Sequence, residues 1–301
     1  MLTVAALYQF TRFADPAALR GPLLALCLSQ GIRGTLLVAR EGINGTIAGA
    51  RPGIDTVLDH IRSLPGCSGL EWKESPAGAM PFARMKVRLK QEIVTLGQPD
   101  VDPIAGIGQY VSPAGWNALI TSPDVAVIDT RNSYEVAIGT FRTAVDPQTR
   151  SFREFPAWWS ANRERFAGKK IAMFCTGGIR CEKSTNWLLG QGVADVFHLK
   201  GGILRYLEEI PRAESLWEGE CFVFDRRVSV GHGLRPGDLT SCGACRRPVT
   251  EQGRADPSFE EGVCCPACRE EYTGQDRDRF RQRQRQIAAA LARSGWHLGK
   301  A

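Results

Sequence analysis

Apolar and polar positions divide the chain into stretches of different periodicity. In the first ninety-odd residues, apolar runs at 4–10 and 83–89 read as strands, and helical spacing occupies 16–30 and 54–64. Two more strands flank the glycine-rich run Glu41-Gly42-Ile43-Asn44-Gly45, which reads as the turn between them. This order predicts the split β-α-β arrangement of a ferredoxin-like domain. Pro16 and Pro52 stand near helix starts, where a missing backbone donor is harmless, and Gly31 stands just past the first helix, where left-handed backbone is often required. A turn-rich stretch at 97–108, with Pro99 and Pro103, reads as a linker.

Beyond Ser112 the pattern becomes an alternation. Strands are predicted at 125–129, 171–175 and 196–199, the last ending at Gly201-Gly202, with helices at 157–166 and 182–191. That is an α/β domain with a mostly parallel sheet. After Pro211 periodicity is lost until a cysteine-rich module and an arginine-rich helix at 276–293. The expected division is an α+β domain at 1–96, a linker at 97–111, the α/β domain at 112–213, and a C-terminal part at 214–301 holding a further linker, the cysteine module and the basic helix.

Composition adds constraints. A hydrophobic fraction of 43% suits packed globular domains, and no apolar run reaches the roughly 18 residues of a membrane helix. The N-terminus has no basic lead-in or cleavage site, so the expectation is a cytoplasmic chain with no membrane association. Of ten cysteines, five fall between Cys242 and Cys268, where the spacing suits metal better than disulfides and implies a reducing compartment. A net charge of +6 is compatible with an anionic partner and decides little alone.

The run Cys175-Thr176-Gly177-Gly178-Ile179-Arg180 sits between a predicted strand and a predicted helix. Two adjacent glycines let such a loop curl so that backbone N–H groups surround the sulfur, and the following helix adds the positive end of its dipole. With Arg180 as a nearby cation, these features predict a Cys175 thiolate that is nucleophilic near neutral pH. A small buried cysteine at a strand end is the plainer alternative. Cys181, directly after Arg180, reads either as a resolving thiol or as helix packing.

Cys242-x2-Cys245 and Cys265-x2-Cys268, nineteen residues apart, fit a closed four-thiolate structural zinc site. Cys264 as a substitute for Cys265 would break the two-residue gap. Arg277, Arg279, Arg281, Arg283 and Arg285 follow at every second position, which distributes charge around a helix. They are candidate phosphate contacts, with a solvated face as the equally weighted alternative. The stretch Phe152, Arg153, Phe155, Trp158, Trp159, Arg163 and Arg165 suits either an unpaired base or packing against the sheet.

Asp129-Thr130-Arg131, Glu135, Gly139, Ala144, the Cys175–Arg180 loop and Leu199-Lys200-Gly201-Gly202 together resemble a rhodanese domain. Ala137-Ile138 departs from the usual His-Ile pair before the turn glycine. The resemblance implies that Cys175 can carry a persulfide and that Asp129 and Arg131 brace the site. With Glu41-Gly42-Ile43-Asn44-Gly45, Ser151-Phe152-Arg153-Glu154-Phe155-Pro156, Glu220-Cys221-Phe222-Val223-Phe224-Asp225 and the cysteine module, nearly the whole chain resembles the bacterial tRNA uridine hydroxylase family. This implies oxygen-dependent 5-hydroxylation of the wobble uridine, tRNA as partner, Cys175 as the essential residue, and molecular oxygen as co-substrate with an unidentified electron donor. No flavin, haem or nicotinamide motif is visible. A rhodanese-type sulfurtransferase or persulfide carrier, and a non-catalytic RNA-binding adaptor, are the alternatives.

Overall fold

The computed structural model describes residues 1–98 and 100–294; Pro99, inside the predicted linker, lies outside the described residues. The chain forms two compact units, one of Met1–Cys221 with Gly231–Arg235, the other of Phe222–Val230 and the described residues from Pro236 onward.

The first sheet contains β1 (Leu2–Phe10), β2 (Arg33–Ala39), β3 (Gly42–Gly49), β4 (Glu71–Ala77) and β5 (Met85–Leu89), in the order β4-β1-β3-β2-β5. Helices α1 (Pro16–Ser29) and α2 (Arg51–Ser63) pack on it. The ferredoxin-like arrangement is formed by β1 to β4, so its fourth strand is not the predicted run at 83–89; that run is β5, which extends the sheet by pairing parallel to β2. β4 is absent from the hydrophobic pattern because Glu71, Lys73, Glu74, Ser75 and Pro76 leave it little apolar signal. Alternate residues Ala5, Leu7, Leu36, Val38, Ile43 and Ile47 meet Leu23 and Cys27 of α1 and Ile54, Val57, Leu58 and Ile61 of α2. Each large aliphatic side chain so buried contributes about 1.5–3 kcal/mol. Asp15 caps α1 by accepting hydrogen bonds from the amides of Ala17 and Ala18.

One expectation is corrected here. Gly42-Ile43-Asn44-Gly45 is not the turn but the start of β3, and the reversal lies at Arg40 and Glu41. Its glycines are needed for close approach: a Cβ at Gly42 would lie 2.0 Å from the Gln9 carbonyl oxygen, and one at Gly45 would lie 2.1 Å from that of Thr35.

The second sheet, in the same unit, contains β6 (Gln109–Val111), β7 (Val125–Asp129), β9 (Ala144–Val145), β10 (Lys170–Phe174) and β11 (Val196–Leu199), ordered β6-β11-β10-β7-β9 and parallel throughout. Around it lie α3 (Pro113–Ile120), α4 (Ser133–Val136), α5 (Phe155–Asn162), α6 (Ile179–Gly190) and α7 (Gly202–Glu209), and the short β8 (Gly139–Phe141) pairs with β12 (Trp217–Gly219). α3 and α7 are additions to the predicted pattern; each is a single eight-residue helix, too short for a clear period. Phe152, Phe155 and Trp159 are buried in the core between α5 and the sheet, which answers the base-stacking alternative for that stretch in favour of packing.

The predicted linker is held firmly. Asn186 Nδ2 donates to the carbonyls of Asp102 and Gly106, the Gly108 amide donates to Thr185 Oγ1, and residues 109–111 are the edge strand of the second sheet; just ahead of the linker, Asn44 and Glu41 hold Ile93 and Leu96 is buried.

In the second unit, a hairpin of Thr240–Ser241 with Pro248–Val249 precedes the C-terminal helix Gly274–Ser294. No helix among the described residues is long and apolar enough to cross a membrane.

Candidate active site and metal centre

β10 delivers Cys175 to the carboxyl end of the parallel sheet, and α6 begins four residues later. The Gly178 amide donates to Cys175 Sγ at 3.1 Å. Gly178 holds φ +107, a conformation open essentially to glycine, whereas Gly177 has neither a positive φ nor any atom near an added Cβ. The conformational demand of the glycine pair therefore rests on Gly178. Burial pushes the Cys175 thiol up; the Cys181 thiol, the Arg180 charge and the amides of Cys181 and Gly178 outweigh it and bring it down to about 6. The side chain is fully buried beneath partly exposed Thr176, Gly177 and Ile179.

Arg180 does more than face the sulfur. Its Nη1 and Nη2 donate to Glu135 at 2.7 and 2.8 Å, and Nη2 also donates to Thr176 Oγ1. Glu135 is fully buried, and its carboxyl is held below the ordinary value: burial alone would raise it, but the Arg180 guanidinium outweighs that. Glu135 belongs to the quoted rhodanese-like pattern, yet its role as the counter-ion of the loop arginine is visible only in three dimensions. Cys181 is likewise a site residue. Its thiol contacts Cys175 and lies 3.6 Å from Thr130 Oγ1, and burial with the neighbouring thiolate pushes it well above the usual thiol range.

Asp129 and Arg131 sit behind the loop, both with fully buried side chains. Arg131 donates from Nε and Nη2 to Asp129, from Nη1 to the Glu135 carbonyl and from Nη2 to the Gly139 carbonyl, and lies 5.0 Å from the Trp217 ring centroid. Thr140 Oγ1 adds a hydrogen bond to Asp129. This geometry suits bracing rather than reaction. Ile179 packs instead against Phe10, Ala39 and Ile93.

α6 carries a second set of contacts that the sequence did not single out. Lys183 Nζ, 1% exposed, contacts Glu41 at 2.7 Å, Glu92 at 2.6 Å and the Val94 carbonyl at 3.0 Å. Glu182 accepts hydrogen bonds from Tyr8 and Tyr110. The start of the reactive-loop helix is thus tied to the first sheet and to the segment that follows it.

In the other unit, the sulfurs of Cys242, Cys245, Cys265 and Cys268 all lie within 4.8 Å of one another. Separations of 3.9 Å for Cys242 and Cys268, 3.7 Å for Cys245 and Cys265 and 3.6 Å for Cys265 and Cys268 match the roughly 3.8 Å expected between sulfurs of a tetrahedral site with Zn–S near 2.3 Å. The Cys265 amide donates to Cys268 Sγ, orienting it as metal sites require. Cys264 points elsewhere, its thiol donating to the Ser258 carbonyl. The cluster can hold a metal ion.

The five arginines divide by contact. Arg277 donates to the carbonyls of Arg269 and Tyr272, Arg281 pairs with Glu260 and Asp278, and Arg283 donates to the carbonyls of Gly243 and Gly262. These three fasten the C-terminal helix to its own module. Arg279, paired with Asp276, and Arg285 are the exposed ones.

Comparison with known proteins covers the whole molecule. Residues 2–93 match the UPF0176 acylphosphatase-like domain, and residues 112–209 match the rhodanese-like domain. Proteins named tRNA uridine(34) hydroxylase are similar over nearly full length. That of Ruegeria pomeroyi is 67% identical over 99% of both chains, that of Gluconobacter oxydans 61% identical over 99% of this chain and 96% of its own, and that of Brucella ovis 56% identical over 99% and 98%.

Proposed function

The chain belongs to the tRNA uridine(34) hydroxylase family, and from that premise we propose that it hydroxylates C5 of the wobble uridine of tRNA with Cys175 as the essential residue. Replacing the C5 hydrogen by hydroxyl is a two-electron oxidation of the base, with molecular oxygen as the oxidant under this reading and a separate donor supplying the remaining electrons. The observation that carries the role of Cys175 is a sulfur that accepts the Gly178 amide and is held near pKa 6, so that at neutral pH the loop presents a thiolate. Uracil carbons accept such nucleophiles, and a persulfide on the same sulfur would use the same loop amides.

Asp129, Arg131, Glu135 and Arg180 fix the loop. The four clustered cysteines would hold zinc as a closed structural ion, and of the five alternating arginines Arg279 and Arg285 are best placed by exposure to meet phosphate. A tRNA substrate places the enzyme in the cytoplasm. Sulfur transfer would need only the loop, whereas the likeness to hydroxylases extends over both the N-terminal domain and the cysteine module, which favours hydroxylation.

The test is nucleoside mass spectrometry of total tRNA from cells lacking the gene, complemented with wild-type protein or Cys175→Ala. The expected result is 5-hydroxyuridine at the wobble position with the wild type and none with the variant. Full restoration by Cys175→Ala would overturn the assignment.

A further inference from the structure

With Cys181, Gly178 supplies the amides that face the Cys175 sulfur, its own at 3.1 Å, and what fixes Gly178 comes from the other sheet of the unit. A Cβ at Gly178 would lie 2.7 Å from Tyr8 Oη, so the phenol oxygen of β1 rests directly on the glycine. Tyr8 Oη donates to Glu182 Oε1 at 2.6 Å, and Tyr110 Oη from β6 donates to the same oxygen at 2.8 Å. Two phenols on one carboxylate oxygen hold Tyr8 in a single place. Glu182 in turn belongs to the first turn of α6, and its amide donates to the Gly178 carbonyl at 3.2 Å. The circuit closes on the same glycine from both sides.

The charge pattern argues against Glu182 being there to steady the sulfur electrostatically. The groups that face it are Tyr8, Tyr110, Cys175 and Glu71, none of them a cation, and the adjacent Lys183 is committed to Glu41 and Glu92. Burial, first, with Cys175 and Glu71 pushes its carboxyl up, against the lowering by the two phenol hydrogen bonds. A mostly buried carboxylate beside a thiolate opposes that thiolate, so its useful contribution is the anchoring of Tyr8. Tyr8 spends its proton on Glu182 and therefore acts on the sulfur through Gly178.

We propose that Tyr8, carried by the N-terminal domain and pinned by Glu182 and Tyr110, is a positioning residue for the Cys175 loop: its hydroxyl holds Gly178 in the left-handed conformation that aims the amide at the sulfur. This gives the N-terminal domain a part in the reactivity of Cys175, and its relevance to hydroxylation rests on the function proposed above.

The experiment measures the rate of iodoacetamide alkylation of Cys175, by peptide mass spectrometry on the full-length protein, as a function of pH. Wild type, Tyr8→Phe and Tyr110→Phe are compared, with melting temperature and tRNA affinity recorded for each. The groups around the sulfur that also titrate or carry charge are Arg180, Cys181 and Glu182 of α6, Tyr8 itself, and Glu135 behind them; each variant takes one phenol hydrogen bond from Glu182, so Tyr110→Phe controls for that loss. The expected result is that half-maximal alkylation moves up by about one pH unit in Tyr8→Phe, the scale of weakening one hydrogen bond to a charged group, and by less in Tyr110→Phe. Hydroxylation should fall about tenfold in Tyr8→Phe as the loop relaxes, with tRNA affinity unchanged. An alkylation profile identical to wild type in both variants, whether or not melting temperature drops, would reduce Tyr8 to a packing residue and sink the proposal. The alkylation readout uses no tRNA, so a shifted profile in a protein that hydroxylates nothing would uphold this inference while overturning the proposed function.

Discussion

Arg180 donates two hydrogen bonds to Glu135, both side chains buried, and the Cys175 loop hangs on that pair. Removing one charge of such a pair leaves the other buried without compensation. Glu135→Gln should therefore destabilise the protein by about 3–5 kcal/mol, read as a lower midpoint in urea denaturation. The same pair gives a pH dependence. Because the folded Glu135 carboxyl titrates below its ordinary value of 4.5, its contribution is complete above that pH and is lost as pH falls through the lower folded value. Cys175 follows the same sign in reactivity: alkylation of the wild-type thiol should be half-maximal near pH 6 and decline in more acidic solution. The residue types at this site were legible, since Cys175, Arg180, Asp129 and Arg131 all stand in a recognisable local pattern. Tyr8, Glu182 and Lys183 were not, because their partners lie 72 to 174 residues away and no local periodicity encodes such pairs.

Among the elements, the ones that present the site were readable where they are apolar and continuous. β7, β10 and β11 are nearly fully buried parallel strands and appear as mainly apolar runs, with Asp129 and Lys170 at strand ends and only His198 inside one. α7 was hidden behind Gly201-Gly202, which read as the end of a strand rather than the start of a helix. Its first free amides satisfy the reactive loop: Ile203 N donates to the Cys175 carbonyl at 2.9 Å and Leu204 N to that of Thr176 at 3.0 Å. Gly202 makes this approach feasible. It holds φ +65, and a Cβ there would lie 2.5 Å from the Cys175 oxygen and 2.6 Å from the Thr176 oxygen. Gly202→Ala should cost more than about 1 kcal/mol and disturb the loop, so the melting temperature should fall together with the alkylation rate of Cys175.

For the whole molecule, a metal ion held by the four cysteines would stabilise the module more than its small core does. The described apolar cluster around the thiols consists largely of the thiols themselves, with Val249, Phe259 and Tyr272 nearby. Binding free energy of the metal is then folding free energy for this unit. Elemental analysis should find one zinc per chain, and prolonged treatment with a strong chelator should remove a low-temperature unfolding step or shift it downward, as should Cys245→Ser. If the chelated, metal-free protein melts as the untreated one does, the structural role of the metal is refuted. The sequence alone determined the parallel α/β domain, the loop thiol and the tetrathiolate spacing, because each is written in short-range periodicity or in residues a few positions apart. Only the tertiary structure decided that the Gly42 to Gly45 run is a strand held against its neighbours, that three of five arginines are consumed in fastening their own helix, and that the N-terminal sheet reaches the reactive loop through Tyr8 and Lys183. Those outcomes depend on which distant groups chain folding brings within hydrogen-bond distance, and a buried charge or phenol takes whichever partner the packing offers rather than one that its sequence neighbours specify.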